Sequence, residues 1–171
     1  MSLSGKTALV TGSTSGIGLG IAMGLADRGV RVIFNGFGDP QDIHHHVAAA
    51  SEKSGQDCFY LGEDLSEPQD IQKMMGTIET RVGGVDILVN NAGINMKKHA
   101  VEVTDEDFDR VVQTNLHAVF SMTRECGKRM IARKRGSILM ITSMAALYGI
   151  DRVVAYTASK SAVGGMVKAL T

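Results

Sequence analysis

The sequence predicts an α/β fold with three layers, in which helices cover both faces of a doubly wound parallel sheet. Short runs rich in Val, Ile and Leu alternate with longer segments whose apolar residues recur every three or four positions. The short runs are apolar on both faces, as buried strands of a parallel sheet are. With two prolines and 44% hydrophobic side chains, the composition is typical of a globular chain, and we expect residues 1–171 to form one domain.

Five strands are expected where apolar runs are bounded by Gly, Asn or Asp. Four of them have clear boundaries, and the fifth is weaker because its apolar run is short. The four are Thr7–Thr11, Arg31–Asn35, Val85–Asn90 and Ser137–Thr142, and the weaker one is Asp57–Leu61.

The helices between the strands have recognisable starts or helical spacing. Asp39 places a carboxylate before a proline, which predicts a helix over 40–54. Ser66-Glu-Pro-Gln69 has the form of a capping box and predicts a helix over 67–82.

Two longer helices are expected in the second half of the chain. Apolar residues at spacings of three and four make Thr104–Arg133 helical over most of its length, with Asn115 inside it. A last helix begins near Val153 and runs to the end of the sequence.

Charge and composition argue against several kinds of partner. Eighteen basic and eighteen acidic residues cancel, so we expect neither nucleic acid nor an anionic membrane as a partner. The segment from Thr7 to Ala26 is uncharged and long enough for a membrane span, but its glycines, serines and threonines argue against one.

Without a secretory signal, Cys58 and Cys126 are expected to be free thiols in the cytoplasm. The consecutive histidines His44–His46 point in different directions on a helix, so no metal site is expected.

Glycines at the end of the first strand predict a phosphate-binding turn. The turn leads directly into a helix, whose positive end and main-chain N–H groups can bind a pyrophosphate. Its place in a β-α-β unit is the context that such a motif requires, so a Rossmann-like dinucleotide site is expected. The expected contacts within this turn are Thr11, Gly12, Ser15, Gly16, Ile17 and Gly18.

Five motifs in order make the chain resemble the short-chain dehydrogenases/reductases. After the G-x-x-x-G-x-G turn, Asn90-Asn-Ala-Gly93 closes the fourth strand and Asn115 lies in the long helix. Ser143 follows the fifth strand, and Tyr156-x-x-x-Lys160 opens the last helix. The resemblance implies the strand order 3-2-1-4-5-6-7. Because members of this family continue beyond the Tyr-Lys helix, the last strands would be missing and the domain would be incomplete at its C-terminus.

The Tyr-Lys pair is suited to carbonyl reduction, which needs a hydride from a nicotinamide and a proton from the protein. Tyrosine has an ordinary pKa of about 10, and a lysine four residues further lies on the same helical face, where its charge stabilises a tyrosinate. The resemblance implies that Lys160 also binds the nicotinamide ribose. It further implies that Ser143 donates to the reacting oxygen and that Asn115 holds a water that relays protons. Taken alone, Ser143 would be a cap and Asn115 a surface residue.

The resemblance also implies contacts on the adenine side of a cofactor. Asp64 would bind the adenine amine, although an Asp before a helix is equally a cap. Asn90 and Gly93 would stabilise the central sheet and pass close to the adenine ribose, and Asn91, Ala92 and Gly93 are expected cofactor contacts. At Asn35, where the second strand ends, a carboxylate would favour NAD and a basic residue would favour NADP. No basic residue is present there, so NAD is expected, while the missing carboxylate leaves NADP open.

The substrate is less clearly indicated. The first third of the chain resembles 3-hydroxybutyrate dehydrogenases of this family, whereas the part after Thr104 resembles sugar-acid dehydrogenases and 3-oxoacyl-carrier reductases. The three positions that hold the substrate carboxylate in the former are Asn95, Ala145 and Val153 here. We expect a small secondary alcohol or ketone, a hydroxy acid or sugar acid. Its expected contacts are Asn95, Ser143, Ala145 and Tyr156, with Arg152, Lys97 and Lys98 as the nearest cations for a carboxylate.

An alternative hypothesis is a fragment that binds a nucleotide or a partner without turnover. In the implied strand order, Ser137–Thr142 has a neighbour on one side only, and its apolar edge would promote self-association. For the enzyme, we expect a homo-oligomer formed through the 104–133 and 153–171 helices.

Overall fold

A computed structural model describes residues 2–170, in which five strands form one parallel sheet. Met1 and Thr171, the ends of the predicted domain, lie outside the described residues. The strands are β1 (Thr7–Val10), β2 (Arg31–Asn35), β3 (Phe59–Leu61), β4 (Ile87–Asn90) and β5 (Ser137–Met140). Their order is β3-β2-β1-β4-β5, and every neighbouring pair is parallel. The predicted fold class is confirmed.

Helices connect the strands at or near the predicted positions. They are α1 (Gly16–Ala26), α2 (Pro40–Ser54), α3 (Pro68–Val82), α4 (Asp105–Val112), α5 (Ala118–Ala132) and α6 (Val154–Leu170). Short 3-10 turns occupy Ala100–Glu102 and Met144–Ala146. Within residues 2–170, no helix is both long and apolar enough to cross a membrane.

The sheet separates two hydrophobic cores, because successive side chains of a strand point to opposite faces. In β1, Leu9 packs in the core that α3 and α5 cover, whereas Ala8 and Val10 pack in the core that α1 and α2 cover. All three side chains are completely buried. Burial on both faces explains why this strand carries an unbroken apolar run.

The two predicted helix starts have different outcomes. Asp39 caps α2 as predicted, since its carboxylate accepts hydrogen bonds from two N–H groups of the first turn at 2.8 and 3.3 Å. The predicted capping box at Ser66 is wrong, because Glu67 is the residue that precedes α3 and no side chain caps that helix. The hydroxyl and the N–H of Ser66 instead donate to Oδ1 of Asp64, both at 2.8 Å. This serine is therefore held in the turn before the helix.

The region predicted as a mostly continuous helix over Thr104–Arg133 contains a π turn. Gln113–His117 forms this turn between α4 and α5. Asn115 lies in the turn and is completely buried, so it is not a surface residue. Apolar spacing does not reveal such a turn, since the wider turn shifts the pattern only locally.

β5 lies at the edge of the sheet. It pairs with β4 along Ser137–Met140, and no other strand within residues 2–170 lies beside it. Leu139 is 46% exposed, and an apolar cleft of about 510 Å³, lined among others by Phe120 and Ile138, runs along the strand. The unpaired edge that the sequence predicts is present in the described residues.

We expect the 171-residue chain to self-associate through β5, because an apolar edge strand with unpaired backbone groups can pair with another copy. Leu139→Lys should reduce this association, since a charge on an edge strand opposes pairing. Light scattering measured over a range of protein concentrations detects the change. Val101→Lys is the matched control, because Val101 is 95% exposed on a 3-10 turn outside the sheet. A wild-type chain that remains monomeric at every concentration would contradict the prediction.

Candidate active site

The predicted site residues gather at one edge of the sheet. Because the strands are parallel, their carboxyl ends meet there, and the loops after β1, β2, β3 and β4 surround a cleft of about 290 Å³. Seven of the predicted cofactor residues line this cleft. They are Gly12, Ser15, Asn35, Asp64, Asn91, Ala92 and Gly93.

The turn between β1 and α1 has glycines where a side chain would be strained or would collide. Gly12 and Gly16 have φ angles of +61° and +55°. A Cβ atom on Gly18 would lie 2.1 Å from the carbonyl oxygen of Gly12. At Gly16 no protein atom lies within 4 Å of the Cβ position, and Ile17 is 70% exposed. The first N–H groups of α1, which have no acceptor within the helix, are thus accessible to an anion.

Thr11 and Asn91 fix this turn against the loop that follows β4. The hydroxyl of Thr11 accepts hydrogen bonds from the N–H groups of Asn91 and Ala92 at 2.9 and 3.0 Å. The side-chain amide of Asn91 donates in return to the carbonyl oxygens of Thr11 and Gly12, both at 3.0 Å. These side chains, predicted as cofactor contacts, therefore hold the two loops together.

Asn35 lies in the wall of the cleft, but its side chain is used within the protein. Its amide nitrogen donates to the carbonyl oxygens of Leu61 and Glu63, both at 3.0 Å, and the residue is 1% exposed. These two bonds use both hydrogens of the amide and join the ends of β2 and β3. Phe37, two residues further, is 71% exposed at the cleft.

Two neighbouring carboxylates follow β3 and line the cleft. Asp64 holds the turn before α3 by accepting from Ser66, as described for the helix start. The side chain of Glu63 is only 10% exposed, and its nearest cation, Nζ of Lys73, is 3.6 Å away. Its Oε2 atom is buried without a hydrogen-bond partner among the described residues. Glu63 is not among the site residues predicted from the sequence, because an acidic residue in a loop ordinarily lies on the solvated surface.

Lys160, which belongs to α6, is buried beside the end of β5. The residue is 4% exposed, and Nζ donates to the carbonyl oxygen of Ile141 at 2.8 Å. Burial lowers the pKa of Lys160 from its ordinary value, because it disfavours the charged ammonium. An ammonium group has three hydrogens, so two remain for other acceptors. Nζ lies 5.9 Å from the ring centre of Tyr156, one turn earlier in α6.

Asn115 holds the loop after β4 close to Lys160. Its Oδ1 accepts from the N–H of Ile94 at 2.8 Å, and its amide nitrogen donates to the carbonyl of Ile94 and the hydroxyl of Ser159. A Cβ on Gly93 would lie 3.1 Å from Oδ1 of Asn115 and 3.5 Å from Nζ of Lys160. The glycine thus lets the backbone pass between these two side chains.

Ser143 and Tyr156 complete the predicted catalytic group. The hydroxyl oxygen of Ser143 accepts from the N–H of Ala145 at 3.2 Å, so the serine caps the 3-10 turn after β5. Its hydroxyl hydrogen remains able to donate to another oxygen. Tyr156 is half-buried in the first turn of α6, and the hydroxyl of Thr142 donates to the carbonyl of Lys160 at 3.0 Å. That bond fixes α6 to the segment that carries Ser143.

The predicted substrate residues are less closely organised. Asn95 is exposed, and Ala145 is buried and apolar. Lys98 forms an ion pair with Asp107, and its hydrogen bond lowers the pKa of that carboxyl. The N–H of Lys98 donates to the carbonyl of Arg152 at 2.9 Å, so two of the three predicted cations lie on neighbouring segments. Lys98 is therefore neutralised by Asp107, and the exposed Arg152 lies 3.6 Å from the exposed carboxylate of Asp151. Lys97 is exposed and forms no ion pair within residues 2–170.

The cysteines and consecutive histidines lie outside this cleft. Cys58 and Cys126 are both free and buried, and burial raises the pKa of the Cys126 thiol to about 12. Neither cysteine is thus placed as a nucleophile. Within residues 2–170, no group of three His, Cys, Asp or Glu side chains is placed to hold a metal ion.

Comparisons with known proteins find similar sequences over nearly the whole chain. A family model described as short chain dehydrogenase matches residues 6–171. D-beta-hydroxybutyrate dehydrogenase of Cupriavidus necator is 40% identical over 166 residues, which cover 97% of this chain and 64% of the relative. A 2-dehydro-3-deoxy-D-gluconate 5-dehydrogenase of Pseudoalteromonas atlantica is 37% identical over 174 residues, with coverage of 99% and 66%.

The three-dimensional structure is similar to that of L-sorbose reductase from Gluconobacter frateurii, which was solved with NADPH and L-sorbose. The TM-score is 0.93 and the sequence identity is 30%, over 99% of this chain and 65% of the reductase. The chain therefore spans about two thirds of the length of its relatives.

We expect Gly18→Ala to destabilise the chain by about 1–3 kcal/mol, because the added methyl group would collide with the carbonyl of Gly12. Gly20→Ala is the matched control in the same helix, since no atom beyond its chain neighbours and the nearby backbone of the helix lies within 4 Å of its Cβ position. Removing that glycine should stabilise the chain by about 0.5–1 kcal/mol. Urea unfolding at low protein concentration measures both variants. Equal stabilities for the two variants would show that the turn does not pack as described.

Proposed function

The chain belongs to the short-chain dehydrogenase/reductase family, and we propose that it transfers a hydride between a nicotinamide cofactor and a small secondary alcohol or ketone. The observation that carries this proposal is the position of Lys160. Its ammonium is buried between the loop that carries Gly93 and the ring of Tyr156. It lies at the same edge of the sheet as the cleft of about 290 Å³ that the loops after β1 to β4 surround, which we call the nucleotide cleft. A buried ammonium beside a phenol is suited to a reaction in which the phenol gives up a proton and takes it back.

Each of the four predicted catalytic residues has a task in this mechanism. The phenol of Tyr156 gives its proton to the carbonyl oxygen in reduction and takes it back in oxidation. The ammonium of Lys160, 5.9 Å from the ring centre of Tyr156, stabilises the tyrosinate that forms when the phenol gives up its proton. The hydroxyl of Ser143 stabilises the charge that develops on the reacting oxygen. Asn115 positions the loop beside Lys160 and holds a water in a proton relay. A bound nicotinamide cofactor supplies or accepts the hydride.

The residues of the cleft fit a dinucleotide. The accessible first turn of α1 and the bare Gly16 suit a pyrophosphate, and the walls after β2 and β3 suit an adenosine. We propose NAD as the preferred cofactor, because no basic residue follows β2 where a 2′-phosphate would lie. The sorbose reductase structure contains NADPH, so the choice between NAD and NADP is a property to be measured for this chain.

The proposed substrate is a hydroxy acid or sugar acid. The names of the relatives support this class, since they include a hydroxybutyrate and a dehydrodeoxygluconate dehydrogenase. Asn95, Ser143, Ala145 and Tyr156 are the proposed contacts. Arg152 and Lys97 are the proposed partners of a substrate carboxylate, because Lys98 is already paired with Asp107 and the only carboxylate near Arg152 within residues 2–170 is the exposed one of Asp151, 3.6 Å away.

We also propose a homo-oligomer in a reducing compartment. Apolar side chains on the two helices predicted to form the interface are partly exposed, with Phe120 at 47%, Val154 at 43% and Val167 at 39%. The free state of Cys58 and Cys126 is the arrangement expected in the cytoplasm.

A second candidate function is nucleotide binding without turnover. The loops of the nucleotide cleft are held by hydrogen bonds, for example those of Asn91, whereas the segment after Ser143 is largely exposed. Leu147 and Tyr148 in that segment are 77% and 62% exposed. A chain whose nucleotide loops are held by hydrogen bonds, and whose segment after Ser143 is exposed, would bind a nucleotide better than it would hold a substrate.

Tyr156→Phe should abolish turnover and leave NADH binding nearly unchanged, because it removes the transferred proton but not the nucleotide cleft. Oxidation of NADH with a panel of keto acids measures turnover, and nicotinamide fluorescence measures binding. Tyr148→Phe is the matched control, since it removes an exposed phenol close in sequence and should retain activity. Equal activity of Tyr156→Phe and wild type would refute the mechanism. A wild-type chain that binds NADH without any turnover would favour the second candidate function.

A further inference from the structure

We propose that Glu63 selects a cofactor whose adenine ribose carries a free 2′-hydroxyl, by accepting a hydrogen bond from that ribose and repelling a 2′-phosphate. This inference rests on the proposed use of a nicotinamide dinucleotide. It assigns the carboxylate that the end of β2 lacks to a residue at the end of β3, the neighbouring strand.

The first observation is that the carboxylate of Glu63 is buried and incompletely bonded. Its side chain is nine-tenths buried, and Oε2 has no hydrogen-bond partner among the described residues. An unbonded carboxylate oxygen inside a protein is unfavourable, so such a group ordinarily receives a donor. Lys73 does not supply one, because its Nζ lies 3.6 Å from the other oxygen and its side chain is 70% exposed.

The second observation is that Glu63 lines the nucleotide cleft beside the end of β2. Its carbonyl oxygen accepts from Asn35, the last residue of β2, at 3.0 Å. The hydroxyl of Tyr60 donates to the carbonyl of Gly36 at 2.7 Å. Burial first and the charge of Glu63 second raise the pKa of Tyr60, so the carboxylate lies near that phenol. Glu63 and Gly36 therefore belong to the same wall of the cleft.

The chemistry of the two cofactors differs at this wall. A ribose hydroxyl donates a hydrogen bond, which a carboxylate oxygen without a partner can accept. A 2′-phosphate brings negative charge and no equivalent donor to a nearly buried anion, where water screens the repulsion poorly. The same carboxylate thus favours one cofactor and opposes the other.

The experiment compares dissociation constants for NADH and NADPH by fluorescence titration, for wild type and Glu63→Gln. Glu63→Gln keeps the size of the side chain and removes its charge. We expect wild type to bind NADH at least about tenfold more tightly than NADPH, and Glu63→Gln to reduce that ratio about tenfold or more, mainly through tighter NADPH binding. The same titration with ADP-ribose and its 2′-phosphate tests the adenine side without the nicotinamide.

Two further variants make the result specific. Glu67→Gln removes an exposed carboxylate four residues later, whose side chain makes no capping bond, and should leave the ratio unchanged. Adding Lys73→Ala to Glu63→Gln should remove part of the gain in NADPH affinity, because the freed ammonium can pair with the 2′-phosphate. Far-UV circular dichroism shows whether each variant keeps the fold.

The outcomes separate this inference from the proposed function. If wild type binds neither dinucleotide, the proposed function itself fails. If Glu63→Gln weakens both cofactors equally, or leaves their ratio unchanged, Glu63 does not select the cofactor although the proposed function stands. A wild type that prefers NADPH would overturn the inference as well.

Discussion

The close packing of the turn after β1 on the loop after β4 is the interaction on which the site depends. The amide of Asn91 bonds to two carbonyls of the turn, and Thr11 binds two N–H groups of the opposite loop. Gly18 must be a glycine for the start of α1 to lie against Gly12. The same loop continues to Gly93, next to Lys160. One set of hydrogen bonds between side chains and backbone therefore positions both the nucleotide cleft and the loop beside Lys160.

A second constraint is the burial of polar groups that serve the chemistry. Within residues 2–170, Lys160 forms no ion pair with a carboxylate, and burial lowers its pKa. The side chain of Asn115 is also buried, but its polar atoms are bonded to both backbone groups of Ile94 and to the hydroxyl of Ser159. The fold thus tolerates an ammonium in a place where an apolar side chain would be less costly, and buried ionisable groups of this kind cluster at functional sites.

The sequence predicted the parts of this arrangement that local patterns encode. The strand and helix order follows from apolar spacing, and the positive φ of Gly12 agrees with the predicted sharp turn. Features that depend on contacts distant in sequence were not predicted. The buried state of Glu63 arises where two strand ends and α3 meet, and the bond from Gln113 to the carbonyl of Ser66 spans 47 residues. The π turn around Asn115 escaped prediction because it interrupts a helical pattern without ending it.

Asn91 holds the shape of the cleft that we propose as the adenine and pyrophosphate site. Isothermal titration with ADP-ribose tests it directly, because this ligand reaches only the adenine and pyrophosphate subsites. We expect wild type to bind one ADP-ribose per chain and Asn91→Ala to lose about tenfold or more in affinity while its circular dichroism spectrum is retained. A folded wild-type chain that does not bind ADP-ribose, or Asn91→Ala binding as tightly as wild type, would contradict the account.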